Sequence, residues 1–206
     1  MTNIENVNYQ TLANNAKVIR EDAVLLNAKA TSVYNKIKEM HSVWYGTQFE
    51  ELVKKFQNII PQLNNILDLV VGDIPYSLEM VANNYSQSDK GINITSAEKT
   101  MPIKIEDFPQ YTEGQNNLMR CISGEVENYQ TQITTNLDEI MAKMDDIQRT
   151  FASTPWESDA SEKYSATLTN LKNEIVESFD NIKSQFTNLM NQTLSAIQAA
   201  ETGNTL

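Results

Sequence analysis

The residues able to do chemistry are few in this chain, and their spacing argues against catalysis. Neighbouring carboxylates occur at Glu21-Asp22, Glu50-Glu51 and Asp145-Asp146. Paired acid and base work needs two carboxyls facing one bond, whereas adjacent residues on a helix point away from each other. His41 is the only histidine and Cys121 the only cysteine. A catalytic triad, a typical zinc site and an internal disulfide therefore all lack members, and no metal or other cofactor is expected. No glycine-rich phosphate loop, HExxH or nucleophile elbow occurs. The expectation is a non-enzymatic protein with no catalytic residues, in which His41 is a solvent-facing turn residue.

The elements that would carry any site are helical. Only 6 Gly and 5 Pro occur in 206 residues, too few for a loop-rich β protein, and apolar residues recur at three-four spacing in four long stripes. The first runs from Tyr9 through Leu12, Ala16, Ile19, Ala23, Leu26, Ala30, Val33, Ile37 and Met40 to Trp44. A helix of that length spans roughly 50 Å. The second runs from Phe49 through Leu52, Phe56, Ile59, Leu63, Ile66, Val70, Ile74, Leu78 and Val81 to Tyr85. Pro61, Gly72 and Pro75 lie inside it and predict bends, with a kink near residues 72–75. The third runs from Leu118 and Ile122 to Phe151, the fourth from Tyr164 to Ile197.

Residues 90–109 break the pattern, with Gly91, Pro102 and Pro109 and no seam spacing, and read as a linker. The predicted organisation is a helical hairpin at 1–89, a linker at 90–109 and a second hairpin at 110–206. Neither hairpin alone covers its apolar seams, so the fold class expected is all-α, the two hairpins packing as an elongated antiparallel four-helix bundle. In such a bundle the linker must travel back along its length. Twenty residues reach about 66 Å when extended, which is just sufficient.

Trp44 lies at the end of the first stripe, where it plugs the hairpin tip, and Gly46 permits a left-handed or closely approached backbone. Thr47 and Glu50 are spaced as a capping box that starts the return helix. An offset of 112 residues places Trp156 on Trp44, Leu52 on Tyr164, Phe56 on Leu168, Leu63 on Ile175 and Ile74 on Phe186, an echo of the first hairpin in the second. The echo degrades at the turn, where Ser158 stands in place of Gly46, and Thr154, Pro155 and Glu157 form a capping pattern of their own.

The net charge is −11, and acidity is concentrated after residue 100, where 7 basic residues face 16 acidic ones. With no basic cluster, nucleic acid is not an expected partner, and an anionic membrane surface would repel the chain. No run of apolar residues is long enough to span a bilayer, so stable membrane insertion is not expected. The first residues lack the basic start and apolar run of a Sec-type signal peptide.

Trp44-Tyr45-Gly46 between two long helices, followed by Tyr85-Ser-Gln-Ser-Asp89 as the second helix ends, resembles the WXG (ESAT-like) family of type VII secretion substrates. The resemblance covers residues 1–89 and, more weakly, 110–201, so the chain is similar to two family members fused in tandem. It implies a fold in which helical hairpins pair antiparallel. It further implies export through a type VII membrane ATPase, directed by a tyrosine–acid element of one hairpin set against the Trp-Xaa-Gly turn of the other. Carried over, Trp44 and Gly46 are the turn, and Tyr85 and Asp89 the export signal. Trp156 and Ser158 form a degenerate turn, while Ile197 and Glu201 keep the acid and lose the tyrosine. Trp156 is expected close to Tyr85. The partners implied are the ATPase and, where the chain acts as a carrier, another secreted effector. The chain itself is expected to be a monomer containing its own pseudo-dimer, secreted or on the cell surface of a Gram-positive-type bacterium. A membrane-active helical toxin component and an intracellular helical scaffold are the alternatives.

Overall fold

The computed structural model describes residues 8–203, which are mostly helical. Helix α1 (Tyr9–Met40) leads to a two-residue strand β1 (Trp44–Tyr45) and then to α2 (Thr47–Gln57) and α3 (Ile60–Leu67). A π-helical turn (Asp68–Asp73) joins α3 to α4 (Ile74–Lys90). A long non-helical stretch containing β2 (Arg120–Cys121) precedes α5 (Ser123–Ala152) and α6 (Asp159–Gly203). The all-α class is as the stripes predict, apart from the β1–β2 pair.

Local chemistry fixes the helix ends. The Asn8 side chain caps α1 by accepting hydrogen bonds from the Gln10 and Thr11 amides, both at 3.1 Å. Its last turn tightens into three-residue bonds from His41, Ser42 and Val43. Pro61 has no N–H to donate back to Gln57, and the helix breaks at Asn58 and Ile59. Pro75 repeats the problem one element later. There the chain inserts an extra residue, so that the Ile74 amide bonds to the Leu69 carbonyl, five residues back.

That inserted residue overturns part of the second stripe. The inward face continues as Ile74, Leu78, Ala82 and Ser86 instead of Ile74, Leu78, Val81 and Tyr85. Val81 is consequently only half-buried and Tyr85 is 37% exposed. The linker is also longer than expected. Gly91 ends α4 in the left-handed conformation (φ 69°), and regular helix does not resume until Ser123. Leu118 and Ile122 therefore lie outside α5, and Leu118 is exposed. At the other end α6 continues to Gly203. Residues 204–206, and 1–7 of the N-terminal stretch, lie outside the described residues.

The chain packs into two compact units, each drawing stretches from both sequence halves. Among the described residues the first comprises 8–28, Gln62–Lys104 and Ile140–Glu174, and the second Lys29–Pro61, Ile105–Glu139 and 175–203. In the first, Leu12, Ile19, Ile66, Leu78, Ile147 and Leu168 are among the buried apolar residues. Each such side chain contributes about 1.5–3 kcal/mol relative to exposure. Its polar interior is organised by Arg20, whose guanidinium donates to both carboxylate oxygens of Glu79, at 2.9 and 2.7 Å, and to Thr100 and the Glu98 carbonyl. Asn27 donates to the Ile103 carbonyl at 2.8 Å and accepts from the Ile103 amide at 2.9 Å. Asn83 holds the Ile94 and Thr95 amides in the same way. Gly72 lets the Thr100 carbonyl approach to 3.1 Å from where a Cβ would stand.

In the second unit Ile37, Met40, Trp44, Phe49, Ile133, Phe179 and Phe186 are buried. Here Tyr34 donates to the Asp107 carbonyl at 3.1 Å and lies against Phe108, ring centroids 4.8 Å apart. The Phe108 amide donates to Gln57. Ile105 is the buried apolar anchor of this stretch. Arg20, Asn27 and Tyr34 on α1, and His41 just past its end, thus recur every seven residues, and each engages a successive part of the non-helical strap. Asn27→Ala removes both bonds to Ile103 and is expected to cost about 1–3 kcal/mol in denaturant unfolding, with faster amide exchange at Ile103.

Candidate functional site

The tryptophan turn lies in the second unit, between α1 and α2. Trp44 is 0% exposed and its indole sits against Phe49 and Phe186, both ring centroids at 5.7 Å. A buried indole N–H needs an acceptor, and it finds the Thr193 hydroxyl on α6 at 3.0 Å. Thr193, itself buried, donates its own hydroxyl hydrogen bond to the Leu189 carbonyl at 3.1 Å. The first hairpin's turn is therefore seated on the C-terminal part of α6, four residues before Ile197 and eight before Glu201.

Backbone pairing fixes the turn from the other side. Trp44 pairs with Cys121 and Tyr45 with Arg120, antiparallel, and the Ile122 amide donates to the Val43 carbonyl at 3.0 Å. Gly46 adopts φ 120° and ψ −174°, a region open essentially to glycine alone. A Cβ there would also stand 3.1 Å from the Leu118 carbonyl and 3.3 Å from Met119 Cβ. Gly114 packs onto the start of α2 so closely that its Cβ would lie 2.5 Å from the Thr47 nitrogen. The sequence reading of a Thr47–Glu50 capping box is corrected here. Gly46 is the N-cap and provides no side chain, and the Glu50 carboxylate instead accepts from the Gly114 amide at 2.7 Å.

His41 is likewise not a solvent-facing residue. It is half-buried, its ring stacks against Tyr111 at 4.3 Å and Phe49 at 5.4 Å, and its Nε2 lies 3.0 Å from Glu113. Backbone amide donation at Glu113 itself, with help from His41, holds that carboxyl below its ordinary range. Because the charged form is favoured, this contribution is complete above the ordinary carboxylate pKa and is lost as pH falls through the lowered one. Burial pushes the Cys121 thiol up, which disfavours the reactive thiolate.

The other sequence-predicted site residues are distributed differently. Tyr85 is exposed on α4, while Asp89 accepts a hydrogen bond from the Tyr9 hydroxyl at 2.7 Å, so the acid is tied to the start of α1. Ile197 is half-buried and Glu201 exposed near the end of α6. Trp156 is half-buried in the first unit, against Phe151 and Tyr164, each 6.3 Å away. Its ring neighbours among the described residues do not include Tyr85. Nearby, the Ser77 and Tyr164 hydroxyls share a hydrogen bond at 3.0 Å. Ser158 is a helix cap: its hydroxyl accepts from the Ser161 amide and its amide donates to the Ser161 hydroxyl, both at 3.1 Å. The capping pattern at Thr154, Pro155 and Glu157 is therefore not used. Thr154 instead bonds the Thr150 carbonyl and receives the Asn15 amide.

Sequence reasoning missed Thr193, which occupies an inward position between Met190 and Ile197. The apolar spacing steps from Met190 to Leu194 without a gap and gives no signal for it, yet Thr193 is the buried residue there and Leu194 only half-buried. Among the described residues no helix is long and apolar enough to cross a membrane. In comparisons with known family models, curated proteins and solved structures, the chain matches none.

Proposed function

We propose that the chain is a non-enzymatic, tandem WXG-like protein, its two helical hairpins packed as a four-helix bundle. It is exported through a type VII secretion system as an effector or as a carrier for another secreted protein. The observation that carries the reading is the seating of Trp44 on Thr193. A Trp-Xaa-Gly turn between two helices rests on the C-terminal stretch of a different hairpin, the arrangement that the family resemblance implies between two separate chains. The closure of Gly46 against Leu118 and Met119 adds to it, because the glycine is required by backbone geometry.

In this reading the exposed Tyr85 ring is what the secretion ATPase contacts. Loss of one well-placed interface tyrosine costs about 1–2 kcal/mol, or about tenfold in affinity. The test compares culture supernatants of cells with an intact type VII ATPase making wild type, Tyr85→Ala or Trp44→Ala, with circular dichroism as the folding check. The expected result is a Tyr85→Ala protein that is folded and present in cells but depleted about tenfold outside them. Export equal to wild type for both variants would refute the assignment.

A further inference from the structure

The two tryptophans of the chain stand in opposite environments. Trp44 is fully buried, whereas Trp156 is half-buried and lines an open groove of about 330 Å³ with Phe151, Thr154, Glu157, Ser161 and Glu162. The ring is held by Phe151 in an edge contact (88°) and by the tilted ring of Tyr164 (48°). The groove's lining includes two carboxylates and no basic residue. Among the described residues neither Glu157 nor Glu162 has an ion-pair partner, and the basic Arg149 on the preceding helix is engaged with Asp146 at 3.1 Å.

We propose that this groove binds a cationic side chain, arginine or lysine, presented by a partner polypeptide. An indole face attracts a cation through its quadrupole, and two carboxylates without ion-pair partners at the rim add charge complementarity. Favourable interaction with the amino end of α6 accounts for Asp159 and Glu162 in its first turn. It accounts neither for Glu157, which precedes the helix, nor for a half-buried indole lining the same groove as both acids. The same half of the chain carries the acidic excess, which steers a basic segment toward it. The inference does not require export, and its test is separate from the secretion assay.

The test uses the full chain and a short peptide carrying three arginines spaced by glycine and serine, against the same peptide with citrulline, which keeps the shape and removes the charge. Binding is read from tryptophan emission, with Trp156→Phe identifying the responding ring. The expected result is a saturable change with the arginine peptide that is absent with citrulline. It should weaken at least about tenfold in Glu157→Gln/Glu162→Gln. Equal responses to both peptides, no saturable response to either, or an undiminished response in the folded double variant would overturn the proposal.

Discussion

Trp44→Ala is expected to lower the unfolding free energy by about 3–5 kcal/mol, the range found when a buried tryptophan is truncated in a core. The side chain is fully buried between Phe49 and Phe186, so neither ring can follow the retreating indole without leaving its own packing. Two milder substitutions separate the contributions. Trp44→Phe keeps most of the apolar volume. Thr193→Val keeps the indole but strands its N–H in the interior, at a cost of about 1–3 kcal/mol. Urea unfolding of the three variants, with an unchanged slope in denaturant, is the measurement. A Trp44→Ala loss below about 1 kcal/mol would mean that the turn is not packed as described.

Gly46→Ala is expected to cost about 2–4 kcal/mol, more than its single methyl group suggests. The backbone at φ 120°, ψ −174° is strained for any residue with a Cβ, and the new atom would press on the Leu118 carbonyl and on Met119. Relief requires the β1–β2 pair to separate, so amide exchange at Arg120 and Cys121 should accelerate together with the loss of stability. Gly91→Ala makes the contrast. Gly91 is also left-handed, but nothing lies within 4 Å of its missing Cβ, so only the conformational cost of about 1 kcal/mol applies. Equal costs at the two glycines would remove the close approach of residues 118–119 from the account.

How much of this was legible in the sequence varied with the physics of each element. Helix α1 was readable over most of its length, because every stripe position from Leu12 to Met40 is buried, but the stripe's last step, Trp44, lies beyond the helix in β1. The second stripe was readable only to Leu78. Pro61, Gly72 and Pro75 announced interruptions, but a proline does not say whether the chain will kink or insert a π turn. The insertion moved the inward face from Tyr85 to Ser86. The strap was misread in extent because its fastening is polar. Arg20, Asn27, Tyr34 and His41 stand at heptad intervals, and in a sequence such a row looks like a solvated face.

The candidate site was legible in part for the same reason. Trp44 and Gly46 announced a turn through residue type. The strand pair that clasps it joins residues 44–45 to 120–121, a two-residue contact with no local signature. Thr47 and Glu50 had the spacing of a cap, but Gly114 offered Glu50 a closer amide. Ser158, read as a failed glycine, turned out to be a cap in its own right, which explains why that turn needs no left-handed residue.

At the centre of the proposed function is one polypeptide that contains both members of a WXG-like pair, which we propose are held together by packing and not by the strap alone. A protease site inserted at the exposed Met101 tests this most directly: after cleavage, the two fragments are run together by size exclusion with light scattering and circular dichroism. The account predicts a single one-to-one complex with helicity unchanged. Fragments that separate, or that lose their helix on cutting, would contradict it.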